Sequence, residues 1–466
     1  MKAIFEPTGF WMAWVRAVLL SASLLAAGLI PTWAKVAQGG SAIGAEATTA
    51  TVAGQADSAT KTGKTQKVET KEYQLSPERY AKAIAYSRAG YLIYFVSVFW
   101  EIAALVLLLS SRAVAKLRDF AEEKSKSFWL QAVLFVAPLS LLLALLNLPI
   151  RMYWHHLSLQ YEQSIQRWGS WFWDWSKGEL LATALGILAA MLLLAIIRWR
   201  PRTWWLYFWA AAVPLSAFLV FLSPWVFDPM FHTFRPLGET HPELVQAIGK
   251  LTAHAGVPIP ADRMFLMEAS EKTNQLNAYV TGLGASKRVV VWDTMISHSN
   301  PDELLAVVGH ELGHYALGHV LKGFAFGVVG MFFGLYAAYL ALQWVLKHRG
   351  GTWGVRGQGD WAALAVLLLI ANVLSFLSEP IGNGISRMQE HAADVYSLEV
   401  IHGIVPDGPE AAAHSFQVMG EHDLADPNPP PFVKFWLYSH PPLGDRVNFA
   451  HNYDPWSKGQ EPKYVK

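Results

Sequence analysis

The run His310-Glu311-Leu312-Gly313-His314 sets two imidazoles four positions apart, with a carboxylate beside the first. On a helix four residues advance about 400°, roughly 40° past a full turn, so both imidazoles would share a face and could hold one metal ion. Glu311 would then reach a water at the metal from the side. Zinc suits two imidazoles and a carboxylate with a fourth position left open, and it acidifies a bound water enough to attack a carbonyl. Three fixed residues recur by chance about once in 8,000 starts, so the setting matters as much as the motif.

A second cluster follows at Ser386-Arg387-Met388-Gln389-Glu390-His391-Ala392-Ala393-Asp394. Glu390 and Asp394 would share a helical face; one would bind the metal while the other orients a ligand imidazole through its free ring N–H. The chain has no cysteine, which excludes disulfides, thiolate catalysis, iron–sulfur clusters and thiolate-bound zinc. Any metal is therefore held by histidines and carboxylates; cobalt or manganese fits similar ligands, with zinc favoured.

These residues need elements to position them. Asn300 suits a helix cap, Pro301 the first turn, and Asp302 and Glu303 the positive end, so a helix is predicted over 301–320. Upstream, Leu244, Ile248 and Leu251 recur at helical spacing within His241 to Ala255. Arg263–Glu268, Asn277–Gly282 and Arg288–Asp293 are short β-branched or aromatic runs between turns, and predict three strands.

At 53% hydrophobic and 16% charged, with a net charge of +1, the 466-residue chain is no basic nucleic-acid binder. Six apolar stretches are long enough to cross a bilayer: 89–111, 128–150, 180–197, 204–226, 323–346 and 361–378. A seventh, from Trp11 to Trp33, reads as a signal-like segment or a first span. Trp168, Trp171, Trp173 and Trp175, with Trp199, Trp204, Trp205 and Trp209, are expected as anchors at the membrane–water interface. The short connections 112–127, 198–203 and 347–360 carry the Lys and Arg residues, which makes their face cytoplasmic and puts the catalytic segments on the non-cytoplasmic side. The resulting division is 1–34 signal-like segment or first span, 35–85 flexible linker, 86–226 four spans, 227–322 metallopeptidase domain, 323–378 two further spans, and 379–466 third-ligand helix and C-terminal part of the catalytic domain.

Taken together, several runs resemble the type I CAAX prenyl protease family of integral-membrane zinc metalloendopeptidases. They are Asn277-Ala278-Tyr279, Lys287 to Val291 with Asp293-Thr294, His310 to His319, Ser386-Arg387 before Glu390 and Asp394, and Ser439-His440-Pro441 with Arg446. The resemblance covers essentially the whole chain and is weakest over residues 1–85. It implies a mainly α fold, a multi-pass helical membrane barrel of seven spans around a chamber, with a small α+β zincin-like domain. It further implies that His310, His314 and Glu390 bind one zinc ion and that Glu311 is general base and proton shuttle. His440 would stabilise the oxyanion, Asp394 and Arg446 would stand behind the ligands, and Asn277 and Ala278 would take the substrate backbone. The implied partners are a peptide or lipidated peptide substrate and membrane lipid. The readings weighed against it are a membrane quality-control protease and a non-catalytic, metal-bound binding or transport protein.

Other polar residues have plainer expectations. Glu101, inside an apolar span, would line a cavity or be paired. His155 and His156 are expected at the interface rather than on a metal. His319 is expected beside the ligands or in a structural role, because three ligands already suffice.

Overall fold

The computed structural model describes residues 73–282 and 287–465. The stretch from Trp11 to Trp33 lies outside the described residues. Among the described residues, six helices are long and apolar enough to cross a membrane: α1 (Pro77–Ser110), α3 (Phe128–Gln160), α4 (Trp168–Trp199), α5 (Trp204–Phe231), α9 (His319–Trp353) and α10 (Ala363–Ile401). A short α2 (Ala113–Lys124) links α1 to α3. Each spanning helix outruns the apolar stretch that announces it, because its ends continue into water or protein.

Three boundaries read from the sequence need correction. Residues 73–85, assigned to the linker 35–85, are folded: Ser76 caps α1 by accepting from the Arg79 amide, with Pro77 in the first turn. Tyr73 is buried, and its ring lies where a side chain at Gly420 would stand. The helix expected to carry the third ligand is not a separate element after the last span, since α10 runs unbroken from the span to Glu390 through Pro380. The motif helix α8 (Pro301–Ala316) ends short of 320, because Gly318 turns the chain at φ 67° before α9 begins.

The water-facing part is built on a four-stranded sheet rather than three strands. Its order is β1 (Phe234–Pro236), β2 (Met264–Met267), β4 (Arg288–Trp292), β3 (Ala278–Thr281). β4 is parallel to β2 and antiparallel to β3, with Ala278 opposite Val291, so β3 forms one edge. Every residue of β4 is buried, as its unbroken Val-rich run requires. Around the sheet pack α6 (Pro242–His254), α7 (Asp293–His298) and α8, followed after α10 by α11 (Gly408–His422), α12 (Pro431–Leu437) and α13 (Leu443–Asn452).

One apolar core lies among the spans, with Phe135, Leu194, Trp204 and Trp361 fully buried, and a second under the sheet, with Ile248, Val290, Leu312 and Val400. A third cluster joins them: Tyr86, Tyr91, Tyr94 and Trp154 from the spans meet Leu424, Val433, Leu437 and Tyr438 from the catalytic part. The tryptophans divide accordingly. Trp173 and Trp199 are exposed as expected of anchors, but Trp171 and Trp204 are core residues. His155 is not interfacial either; it is buried, stacked on Trp171 and edge-on to Trp168, while His156 is exposed.

Candidate metal centre and catalytic cavity

The site forms where α8 crosses α10. Asn300 accepts from the Glu303 amide while the Glu303 carboxylate accepts from the Asn300 amide, a reciprocal cap that fixes the start of α8. Gly309 and Gly313 let the two helices touch: a Cβ at Gly313 would stand 3.0 Å from Tyr396 Cβ and 3.2 Å from Ala393 Cα, and one at Gly309 3.1 Å from Val400. Ser397 Oγ donates to the Ala306 carbonyl at 2.6 Å across the same crossing. His310 and His314 follow those two glycines directly, so the closest approach delivers both imidazoles to Glu390. The glycines are the signal that pattern reading passed over.

His310 Nε2 and His314 Nε2 are 3.1 Å apart; Glu390 Oε2 is 3.2 Å from the first and Glu390 Oε1 3.5 Å from the second. Ligands about 2.0–2.1 Å from a tetrahedral zinc stand about 3.3 Å from one another. The three donors therefore already have the spacing of a metal's coordination shell. Among the described residues, this trio is the one group of histidines and carboxylates drawn together closely enough to hold an ion.

Behind the trio, the other imidazole nitrogens are engaged. His310 Nδ1 is 2.8 Å from Asp394 Oδ1, and Arg446 grips Asp394 in a fork, Nε to Oδ2 at 2.9 Å and Nη2 to Oδ1 at 2.6 Å. Arg446 also stands over Phe416, its Cζ 4.0 Å from the ring centre. His314 Nδ1 is 3.0 Å from His319 Nδ1, which assigns a donor to one ring and an acceptor to the other. Burial alone would depress an imidazolium at His310, but hydrogen bonds to Asp394 and Glu390 outweigh it and raise His310 to about 9. Carboxylates that draw so strongly on a proton also favour a metal cation at Nε2.

His440 Nε2 comes within 3.1 Å of Glu390 Oε2, while Ser439 Oγ is 3.0 Å from its Nδ1. Arg387 donates to the carbonyls of Lys434 and Tyr438, which ties the turn before His440 to α10. Glu311, His440, Arg446 and Asn277 line one cavity, together with the apolar Phe416, Met419 and Leu443. Ala278 is fully buried at the head of edge strand β3, and the Asn277 carbonyl accepts from the Trp292 amide at 3.1 Å. Of the candidate site residues, Asn277, His310, Glu311, His440 and Arg446 thus line one cavity, and His314, Glu390, Asp394 and Ala278 adjoin them. Tyr438 and the pair Asp423 and Asp426, which also line it, went unremarked because nothing in their spacing sets them apart.

Comparison with known proteins adds to this geometry. The profile of Peptidase family M48 matches residues 239–454, and that of the CAAX prenyl protease N-terminal region, five membrane helices, matches residues 60–233. An uncharacterized metalloprotease of Bacillus subtilis, YhfN, is 35% identical over 376 residues, spanning 81% of this chain and 86% of that protein. This chain belongs to the M48 family of metallopeptidases. It is an integral-membrane metalloendopeptidase of the branch that resembles the CAAX prenyl proteases. CAAX prenyl protease 1 of Saccharomyces cerevisiae is 26% identical over 333 residues, 68% of this chain and 71% of the yeast protein. The homolog from Dictyostelium discoideum is 27% identical over 58% of this chain and 61% of its own length. The crystal structure of S. mikatae Ste24p superposes with a TM-score of 0.69 over 81% of this chain and 89% of that one, at 24% identity. That likeness establishes the helical membrane fold, and family membership establishes that the cofactor is a metal.

Proposed function

We propose that His310, His314 and Glu390 hold one zinc ion and that Glu311 and His440 carry out peptide hydrolysis in the adjoining cavity, on a peptide whose reacting end is reached within the bilayer. The observation that carries this reading is the convergence of both Nε2 atoms and the Glu390 carboxylate at coordination spacing beside Glu311. Zinc, when bound, supplies Lewis acidity to the scissile carbonyl and to a neighbouring water. Glu311 takes the proton from that water as its oxygen bonds the carbonyl carbon, then returns it to the amine nitrogen as the C–N bond breaks. His440 Nε2 donates to the carbonyl oxygen as it gains charge. Asp394, held by Arg446, accepts from His310 Nδ1 and keeps Nε2 free of its proton. Asn277 and Ala278 present the open edge of β3, where an extended substrate can add as a strand. A lipidated C-terminus is the substrate favoured by the resemblance to the CAAX prenyl proteases, and the catalytic side is the non-cytoplasmic one by the loop charges.

The test is cleavage of a quenched fluorescent prenylated peptide and its unprenylated twin by detergent-purified protein, with and without chelator and zinc restoration. Chelation should abolish cleavage and zinc restore it. Glu311→Gln should bind zinc with the parent's stoichiometry yet lose at least about 100-fold in rate, the usual reach of a general base. Undiminished turnover in that variant would remove Glu311 from the mechanism. Faster cleavage of the prenylated twin would support the lipidated substrate, and equal rates would argue against it.

A further inference from the structure

The peptidase part does not turn all of its outer surface to water. α12 lies between α11 and His440, and at seven residues it is far too short to span a bilayer. Yet Phe432 is 55% exposed and Phe435 54%, and residues three apart share a helix face. A lone exposed apolar side chain is ordinary, whereas aromatic side chains grouped beside a span mark the membrane interface.

This face continues the lipid-facing surface of the spans. The Phe432 ring stacks on Phe95 of α1 with centroids 6.0 Å apart, Trp436 lies 4.7 Å from Phe376 of α10, and Phe95 meets Phe376 edge-on between them. Both partner rings belong to the apolar stretches 89–111 and 361–378 that cross the bilayer. Beside them Leu92 and Phe99 of α1 and Leu377 and Ile381 of α10 are exposed, as lipid-facing side chains are. Depth follows from α1: Arg88 is exposed at its catalytic end, and Phe95 lies seven residues further on, about 10 Å into the span at 1.5 Å per residue. Lipid, which covers the neighbours of α12, is therefore the occupant that fits its outer face. The helix is tied to the site as well. Asn383 of α10 donates to the Trp436 carbonyl at 2.6 Å and Arg387 to that of Lys434 at 3.1 Å. Leu437 ends α12 buried, the next residue, Tyr438, lines the cavity, and His440 follows two positions later.

We propose that α12 is immersed through Phe432 and Phe435 in the bilayer leaflet on the catalytic side, and that hydrocarbon packed on this face holds the turn that carries His440. The lipid contact stands without peptide hydrolysis, while its effect on turnover rests on the peptidase reading above.

Because the chain lacks cysteine, Phe435→Cys can carry a single nitroxide on the full-length protein in phosphatidylcholine vesicles. Phe99→Cys on α1 and Ser457→Cys, exposed at the catalytic end, serve as lipid and water references. Relaxation by oxygen, which concentrates in hydrocarbon, is compared with relaxation by a water-soluble nickel chelate. The oxygen-to-nickel ratio at position 435 should match that of Phe99→Cys and exceed that of Ser457→Cys severalfold. A ratio equal to that of Ser457→Cys overturns the proposal, and so does protection from both relaxers, which would put protein rather than lipid on the face. For the turn, Phe435→Ser is compared with Phe435→Leu, both of which leave the stack of Phe432 on Phe95 in place. In vesicles Phe435→Ser should lose about tenfold in cleavage of the quenched peptide, the reach of one apolar side chain withdrawn from hydrocarbon, and Phe435→Leu should stay near the parent. Zinc stoichiometry and melting temperature in detergent should be the same in all three. Cleavage by Phe435→Ser at the parent's rate overturns the hold on the His440 turn, and a loss matched by a lower melting temperature would make Phe435 a packing residue. If no protein cleaves, the peptidase reading falls and the nitroxide ratio still decides the lipid contact.

Discussion

A histidine presents Nε2 to a metal only while Nδ1 carries the proton, so each ligand needs an acceptor behind it. His310 has the carboxylate of Asp394; His314 has only the neutral ring of His319, whose Nδ1 must then accept. We therefore expect His319→Ala to weaken zinc binding about 10- to 100-fold, measured by competition with a chromogenic chelator. His319→Asn, which can place an amide oxygen near the same point, should recover part of the loss, whereas unchanged affinity in the alanine variant would make His319 a packing residue. The spacing of His310, His314, Glu390 and Asp394 was legible in the sequence, but spacing alone left the division of labour between the two carboxylates open, and only the family resemblance assigned it. Residues four apart share a helix face, and only the crossing angle of the partner helix decides which one meets Nε2 and which meets Nδ1.

That crossing belongs to the scale of elements, and glycine controls it. A Cβ at position 313 would press at 3.2 Å on the backbone of Ala393, one residue before Asp394, which no side-chain rotation relieves. Gly313→Ala should cost about 1–3 kcal/mol, the usual penalty of overpacking. Because the shift separates Glu390 from the histidines, zinc affinity should fall with the melting temperature. Gly249 of α6 offers the contrast: a Cβ there meets nothing within 4 Å. Gly249→Ala should raise stability by up to about 1 kcal/mol through helix propensity alone and leave metal binding untouched. If the two variants behave alike in calorimetry and metal titration, the close crossing is not what sets the ligands. Element types were legible where periodicity was long, as in α6, or where capping residues mark the start, as in α8, and illegible where context decides. The three-residue β1 is a strand because it pairs with β2, and α10 passes Pro380 because tertiary packing outweighs one lost backbone hydrogen bond.

At the scale of the whole molecule, the helices run so that the catalytic part gathers at one end of the bundle and the basic loops at the other. Apolar length alone made the spans legible, but the loop charges carry two messages at once. Arg112, Arg118 and Arg198 donate to the carbonyls of Thr352, Gly354 and Gly359, each at 2.9 Å, so they also lock three loops together. Arg118 is buried against Asp360, and Arg356 pairs with Asp360 and Glu122. The remaining loop charges, among them Lys126, Arg200 and Arg202, are the ones free to set orientation by the positive-inside rule. The absence of cysteine makes sidedness directly measurable. Ser127→Cys marks the loop end and Ser457→Cys the catalytic end, both at exposed positions. With a membrane-impermeant maleimide on spheroplasts, Ser457→Cys should label at once and Ser127→Cys only after permeabilisation. The opposite pattern would place the catalytic cavity in the cytoplasm and reduce the basic loops to a lock between helices, and substrates would then have to be sought on that side.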